Sequence, residues 1–374
     1  MKYFISAGET SGDVHGSRLM AELKGVDPSA EFVFLGGDAM SAEAGHTPVI
    51  HIREMAFMGF SEVIRHLGNI GRNLQKARRE LRQSRADALI LVDYPDFNLK
   101  LASEARKQGI PTYYYIPPKV WAWKTYRVKK IRLLCRRIFG IFPFEPDFYA
   151  AHDAEAVYGG NPSVEEVSDF LQTRRSRQEF VADHSLTTRP IIALVPGSRM
   201  GEIRNNLAVM AAAVQPLREY QAVVAAAPGI PLDAYRSITT LPIVEGDTLN
   251  LMANAEAALV TSGTATLECA LVDTPQVVCY RANGSRISFE LMRRILKVEH
   301  VSLPNLVSGK TIVPEMLLHR CTPALVGEEL RNILPGTPGN AQQHRAYSAM
   351  RELLGTQRAA VTAAKNIFND LKHV

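Results

Sequence analysis

The sequence predicts an α/β protein made of two doubly wound parallel sheets that follow one another along the chain. Short apolar runs end in glycine or proline and alternate with amphipathic stretches, the pattern of a parallel sheet with helices on both faces. The same pattern starts again near residue 189 after a polar interval. A chain of 374 residues also exceeds one average hydrophobic core. We therefore expect two Rossmann-like domains.

The first half contains six runs that predict strands: KYFISAG, EFVFLGG, ALILVDYP, TYYYIPP, RIFGIFPFE and a weaker EAVYGGNP. Intervening segments such as EVIRHLGNIGRNLQKARRELRQ carry apolar residues at helical spacing. This pattern predicts a first domain over residues 1–165. A polar linker without a strand is expected over residues 166–188.

The second half contains five such runs: PIIALVPGS, YQAVVAAAP, LPIVEG, AALVTSG and PQVVCYR. They predict a second domain over residues 189–345, with its ligand site and that of the first domain facing a shared cleft at the carboxyl ends of the strands. The C-terminal segment 346–374 reads as helical, and it either returns toward the first domain or contacts a second copy in a homodimer. Neither domain opens with GxGxxG, which disfavours a dinucleotide oxidoreductase.

Composition and charge narrow the class of protein. No apolar stretch approaches the roughly 20 residues of a membrane span, and the N-terminus shows no cleavable signal pattern. Four scattered cysteines lack metal-ligand spacing, so we expect a reduced, cytoplasmic protein. The net charge of +5 is concentrated in KTYRVKKIRLLCRR, a predicted helix with a basic face that includes Lys129, Lys130 and Arg132. This face is either solvated or bound to anionic lipid; no motif indicates nucleic acid.

The stretch TSGTATLE marks a strand-to-helix corner in the second half. The first amides of a helix lack intrahelical partners and suit a diphosphate. Ser262 and Thr264 add hydroxyl donors, and Gly263 lets a ligand approach the backbone. Glu268 lies one turn further on, where its carboxylate can accept from a ribose diol. The alternative is an ordinary capped helix.

A second corner, VPGSRMGEI, places Ser198 and Arg199 after another strand. An arginine there can clamp phosphate through its planar fork, or it can be a plain surface residue. Two such corners in one domain favour a nucleoside diphosphate site.

The first half supplies polar corners of its own. SAGETSGDVHG follows one strand and carries Glu9, Ser11 and Asp13, while LVDYPDFNLKLA follows another and carries Asp93, Asp96 and Asn98. Asp96 comes after a proline, so it is either a helix cap or a general base at the sheet edge. The neighbouring apolar segment MAFMGF, with Met55, Phe57, Met58 and Phe60, fits either a core or a lipid-facing patch. Trp121, beside the basic helix, suits a membrane interface or a substrate wall.

These stretches together resemble the lipid-A-disaccharide synthases, a family of bacterial glycosyltransferases with the GT-B architecture. The matching motifs run in order through most of the chain: SAGETSGDVHG, FLGGDAM, MGFSEV, DYPDFN, VWAWK, FPFE, VPGSR with GEI, SGTATLE and SLPN. The resemblance implies an inverting transfer of 2,3-diacylglucosamine from UDP-2,3-diacylglucosamine to lipid X, which is 2,3-diacylglucosamine 1-phosphate. It implies no metal or cofactor, and a peripheral location on the inner face of the bacterial inner membrane.

The resemblance and the chemistry together assign candidate roles. Asp96 is expected to be the base, with Asp93 second, and Arg199 stabilises the leaving diphosphate. The remaining candidates fall into three groups. The expected UDP contacts are Ser198, Ser262, Gly263, Thr264, Thr266 and Glu268, and the expected acceptor contacts are Glu9, Ser11, Gly12, Asp13, Asn98 and Trp121. The expected lipid contacts are Met55, Phe57, Met58, Phe60, Lys129, Lys130 and Arg132.

Three positions depart from the family pattern, and two rival functions stay open. Asn161 replaces a histidine, Leu318 replaces a glutamine, and Pro117 replaces a serine. A UDP-sugar epimerase is the main alternative because it also uses two Rossmann-like domains; a non-catalytic binding protein on the same scaffold is the other.

Overall fold

The computed structural model describes residues 1–55, 67–122, 125–281 and 300–373. They form two compact units, Met1–Pro162 with Thr356–Val374, and Ser163–Gly355. Each unit contains one parallel sheet with interleaved helices, which confirms the predicted α/β class. Among the described residues, no helix combines the length and apolar character that crossing a membrane requires.

The sheet of the first unit has seven strands in the order β3-β2-β1-β4-β5-β6-β7, and all of its neighbouring pairs are parallel. The strands are β1 (Lys2–Ala7), β2 (Glu31–Gly36), β3 (Ile50–His51), β4 (Ala88–Val92), β5 (Thr112–Tyr115), β6 (Arg137–Gly140) and β7 (Ala156–Tyr158). The helices are α1 (Thr10–Val26), α2 (Asp38–Ala44), α3 (Leu67–Ser84), α4 (Pro95–Lys107), α5 (Arg127–Leu134) and α6 (Glu145–Ala150), with a 3₁₀ turn at Ile52–Glu54.

Both faces of this sheet are buried because successive side chains of a strand point to opposite sides. Phe4 and Leu91 pack in the core on one face, while Tyr3 and Ile90 pack in the core on the other. Continuous apolar runs therefore mark the central strands, as the sequence predicts.

The sheet of the second unit has six parallel strands in the order β10-β9-β8-β11-β12-β13. The strands are β8 (Ile191–Val195), β9 (Gln221–Ala226), β10 (Ile243–Glu245), β11 (Ala257–Thr261), β12 (Gln276–Tyr280) and β13 (Glu315–Leu317). The helices are α7 (Pro162–Thr173), α8 (Arg177–Asp183), α9 (Met200–Val214), α10 (Leu232–Arg236), α11 (Thr248–Ala253), α12 (Thr264–Leu271), α13 (Leu303–Ser308), α14 (Pro323–Asn332) and α15 (Pro338–Leu354), with a 3₁₀ turn at Leu318–Arg320.

The stretch expected to be a polar linker, residues 166–188, contains most of α7 and all of α8, and it belongs to the second unit. Ser176 and Glu179 form a reciprocal capping box that starts α8. Phe180 is buried, and Arg175 pairs with Asp247 beyond β10. Polar composition here reflects charged surface on packed helices.

The C-terminal segment is divided between the units. Helix α15 belongs to the second unit and ends at Leu354, and the Gly355 that follows it has a φ of 63°. The last helix, α16 (Ala359–Lys372), belongs to the first unit, where Arg137 contacts Asp370 at 3.2 Å. The expected return toward the first domain therefore involves α16, and it begins about ten residues later than position 346.

In each sheet the strand order reverses at one point, between β1 and β4 in the first unit and between β8 and β11 in the second. Loops that leave neighbouring strands in opposite directions open a crevice at their carboxyl ends. All four polar corners found in the sequence follow these strands.

Candidate active site

The crevice of the second unit is a cavity of about 310 Å³. Its lining comes mainly from the loops after β8 and β11, with smaller parts from the loop after β9 and the start of α11. Of the predicted UDP contacts, those that line it are Ser198, Arg199, Ser262, Gly263, Thr264 and Glu268. The structure therefore brings the two predicted corners of this unit together.

The corner after β11 presents the start of α12 to this cavity. Gly263 precedes the helix, and a side chain at that position would meet no protein atom within 4 Å. The Ser262 hydroxyl donates to the carbonyl of Val301 at 3.2 Å. Thr266 differs from its predicted role, because it is fully buried, lies outside the cavity and donates to the Gly263 carbonyl at 2.8 Å. This hydrogen bond stabilises the turn between β11 and α12.

The corner after β8 depends on Gly197 and Glu202. Gly197 has a φ of 116°, and an added Cβ would lie 2.6 Å from the Glu202 carboxylate, so only glycine fits. That carboxylate accepts from the Ser198 amide at 3.1 Å and lies 3.5 Å from Arg199 Nη1. Arg199 is 75% exposed and therefore has a weakly held, accessible guanidinium.

Glu268 lies in the cavity wall and is half-buried. Burial, followed by the nearby charge of Glu166, raises its pKa to about 7. Among the residues that the structure describes, none donates a hydrogen bond to this carboxylate. A half-buried carboxylate without a donor suits a ligand that supplies hydroxyl groups.

A group that sequence reasoning missed holds these corners together. Asn206, on α9, is fully buried, and its amide donates to Thr261 Oγ1 at 3.0 Å and to the Pro196 carbonyl at 3.4 Å. Its oxygen accepts from the Arg281 amide at 2.8 Å. One side chain thus connects the ends of β8, β11 and β12. No local pattern in NNLAVM indicates this role.

The crevice of the first unit is shaped by a strained turn after β4. Asp93 and Tyr94 have φ values of 45° and 47°, in a region that non-glycine residues rarely adopt. Asn98, at 0% exposure, donates to the Asp93 carbonyl at 2.7 Å and accepts from Ser6 Oγ at 2.7 Å. The Tyr94 ring lies where a side chain on Gly8 would be, at 2.4 Å, so glycine is required there. Asn98, predicted as an acceptor contact, instead holds this turn.

Two carboxylates at this turn have different surroundings. Asp96 is 80% exposed at the start of α4 and pairs with Arg127. Asp93 is half-buried; burial and the charge of Glu9 raise its pKa. Both residues follow β4, and Glu9, which follows the neighbouring β1, lies near enough to Asp93 for its charge to act there.

Three other predicted acceptor contacts are buried and contact other parts of the protein. Asp13 is buried and accepts from the amides of Gly37, Ala39 and Met40 at 2.6–3.1 Å, which starts α2. Gly12 is buried where α1 packs against β1. Trp121 is buried and donates to Glu145 at 3.1 Å. Glu9 and Ser11 remain exposed at the strand end.

The predicted lipid contacts also differ from one another in exposure. Met55 is 2% exposed in the core, which contradicts a lipid-facing role. Phe57, Met58 and Phe60 lie outside the described residues. The basic helix is confirmed as α5, with Lys129, Lys130 and Arg132 exposed and Arg132 paired with Asp153 at 3.0 Å.

The three family departures have different surroundings. Asn161 is buried and donates to the Ile141 carbonyl at 2.9 Å. Leu318, with a φ of 50°, is absent from the cavity lining. Pro117 is buried after β5. No group of three or more histidine, cysteine, aspartate or glutamate residues in the described ranges could hold a metal ion.

Two doubly wound units with polar corners at their switch points define an α/β protein of the GT-B class. The UDP-GlcNAc 2-epimerase from Neisseria meningitidis bound to UDP-GlcNAc is similar over 100% of both chains, with a TM-score of 0.65 and 12% identity. The glycotransferase of kitacinnamycin is similar over 99% of each chain, with a TM-score of 0.63 and 13% identity. Similarity at this identity shows the fold alone.

Sequence comparison identifies the family. Residues 3–367 match the family model described as lipid-A-disaccharide synthetase. The lipid-A-disaccharide synthase of Myxococcus xanthus (strain DK1622) is 37% identical over 379 residues, covering 98% of this chain and 96% of that relative. The chain belongs to the lipid-A-disaccharide synthase family.

Proposed function

We propose that this chain is a hexosyltransferase that forms the lipid A disaccharide. It moves 2,3-diacylglucosamine from UDP-2,3-diacylglucosamine to the 6-hydroxyl of lipid X, giving the β-1,6-linked disaccharide 1-phosphate and UDP. Family membership supports the reaction. The observation that carries it is the cavity of the second unit, which joins anion-binding groups to a carboxylate that accepts no hydrogen bond from any described residue.

Each part of UDP has a matching group in this cavity. The first amides of α12 and the exposed Arg199 suit the diphosphate, whose negative charge grows as the bond to the sugar breaks. Glu268 suits the ribose hydroxyls. Hydrogen bonds to charged groups contribute about 1.5–3 kcal/mol each, so a few of them account for specific binding.

Inversion by direct displacement requires a base for the acceptor hydroxyl. Asp96 fits this role because its carboxylate is exposed and Arg127 fixes its direction. Asp93 is the second candidate. If it were the base, its raised pKa would move the onset of activity to higher pH. The Asp96→Asn and Asp93→Asn variants distinguish them by which one loses turnover.

A peripheral contact with the inner face of the bacterial inner membrane is part of the proposal. Helix α5 presents Lys129 and Lys130 to solvent next to Tyr126 and Leu133, which are 70% and 59% exposed. Cationic and apolar groups together suit an anionic lipid surface.

The test is release of UDP with and without the acceptor. Incubation with UDP-diacylglucosamine alone should yield little UDP, and addition of lipid X should give rapid release together with a disaccharide. The epimerase alternative rests on similarity of fold alone. An altered UDP-sugar formed without any acceptor would favour that alternative and contradict the transferase.

A further inference from the structure

A basic groove lies in the first unit, apart from the groups considered above. It has a volume of about 990 Å³ and lies between the 3₁₀ turn Ile52–Glu54 and helix α3. Its basic lining residues are Arg53, Arg72, Lys76, Arg79 and Arg82, and Glu54 is the single acidic one. Such a surface attracts an anionic ligand.

Most of these positive charges already have partners. Arg53 pairs with Asp38 at 2.7 Å, Arg79 with Glu80 at 3.3 Å, and Arg82 with Glu104 at 2.8 Å. In contrast, Arg72 and Lys76 pair with no carboxylate among the described residues, and both are exposed.

Positions four apart on a helix lie on the same face. Arg72 and Lys76 thus form a pair of cations that no carboxylate in the described part of the chain neutralises, which suits a doubly charged group such as a phosphate monoester.

Two contacts fix how α3 lies beside α4. Arg82 contacts Glu104 at 2.8 Å, and Arg78 Nη2 lies 3.5 Å from the Lys100 carbonyl. Each contact joins a residue of α3 to the residue 22 positions later in α4. The same register places Leu74 level with Asp96. Arg72 and Lys76 therefore flank the level of Asp96 on a helix that packs about 8–10 Å away.

The short segment before the groove also contacts the strained turn. The Tyr94 hydroxyl donates to the Met55 carbonyl at 3.2 Å, and Asn73 donates to the Glu54 carbonyl at 2.9 Å. One stretch of backbone is thus shared by the wall of the groove and the turn that carries the base candidates.

We propose that Arg72 and Lys76 bind the phosphate of the acceptor. This inference rests on the proposed function, in which the acceptor carries a phosphate on C1 and reacts through its 6-hydroxyl. These two groups lie at opposite ends of one sugar ring, a separation compatible with neighbouring helices. Binding the phosphate in the groove directs the 6-hydroxyl toward Asp96. It also excludes the donor from the acceptor position, because the C1 phosphate of the donor is joined to UMP through a phosphoanhydride bond and is no longer a monoester.

The experiment compares lipid X with the same diacylglucosamine lacking its 1-phosphate, both dispersed in detergent. The full-length chain with Arg72→Gln and Lys76→Gln should lose at least about tenfold in kcat/KM for lipid X, mainly through KM, as expected when a charge-assisted hydrogen bond is removed. Its kcat/KM for the dephosphorylated acceptor should stay unchanged. A purely structural defect would lower both values.

The matched control is Arg106→Gln with Lys107→Gln, which removes two exposed charges from the far end of α4. It should leave the preference for the phosphorylated acceptor intact. An unchanged preference in the Arg72 and Lys76 variant overturns the inference, and so does an equal loss on both acceptors. Loss of binding to anionic vesicles with the acceptor preference intact would assign the groove to membrane phospholipid and also overturn it. Failure of the unaltered chain to transfer to either acceptor would instead refute the proposed function itself.

Discussion

Glu268→Gln should stabilise the free protein at alkaline pH and weaken its binding of UDP. The pKa of Glu268 is raised from 4.5 to about 7, chiefly by burial. The folded protein therefore keeps a proton that the unfolded chain releases between these two values. The free energy of unfolding falls as pH rises through this window and stays low above it.

The size of the effect follows from the shift. One pKa unit corresponds to about 1.4 kcal/mol, so the ionised carboxylate lowers the free energy of unfolding by at most about 3 kcal/mol. Glutamine has nearly the same shape and no charge, and it removes this penalty. For a unit of this size each kcal/mol changes Tm by about 2–4 °C. We expect the Tm at pH 8 to rise by at least about 3 °C, and the Tm at pH 4, below both pKa values, to stay nearly the same.

The assay is thermal unfolding at both pH values, together with UDP titration by calorimetry. Ribose hydroxyls donate to the ionised form, so UDP affinity of the unaltered chain should fall below pH 7. The variant should bind more weakly and keep only the pH dependence that the phosphate of UDP itself contributes. Glu245→Gln, on the exposed end of β10, is the matched control and should show neither effect. An equal change of Tm at both pH values, or unchanged UDP affinity, would refute the assignment of Glu268.

Three further outcomes are expected. Asp96→Asn should abolish turnover and leave the Kd for UDP unchanged in calorimetry; a weakened Kd would mean that this residue contacts the nucleotide. Asn206→Ala should lower the free energy of unfolding, measured in urea, by about 1–3 kcal/mol and raise the Kd for UDP, because buried partners at Thr261 and Pro196 lose their donor. Destabilisation with normal UDP binding would limit the role of Asn206 to stability. Replacing Lys129 and Lys130 by glutamine should reduce sedimentation with anionic vesicles at low salt, with turnover on detergent-dispersed substrate retained; unchanged sedimentation would assign α5 to the solvated surface.

The central strands could be predicted because their residues are buried on both faces. Each long apolar run, from KYFISAG to PQVVCYR, contains an observed strand. The edge strands β3 and β13 have only two and three residues and lie in stretches where no apolar run predicts a strand. Their positions depend on pairing with β2 and β12, which is a contact across the sheet.

The candidate site was predictable where a polar residue follows a strand directly. This rule places Ser198, Arg199 and Ser262 in one cavity. It does not tell whether a polar side chain points outward or back into the fold, and Asp13 and Asn98 point back to satisfy buried backbone groups. The sequence also gives no sign of Asn206, whose partners lie 10 to 75 positions away along the chain.

The structure of the protein crystallised with UDP tests the central claim most directly. The account predicts the diphosphate at the start of α12 within hydrogen-bond distance of Arg199, and the ribose hydroxyls on Glu268. A nucleotide bound outside the crevice between β8 and β11, or one whose diphosphate contacts neither group, would contradict it.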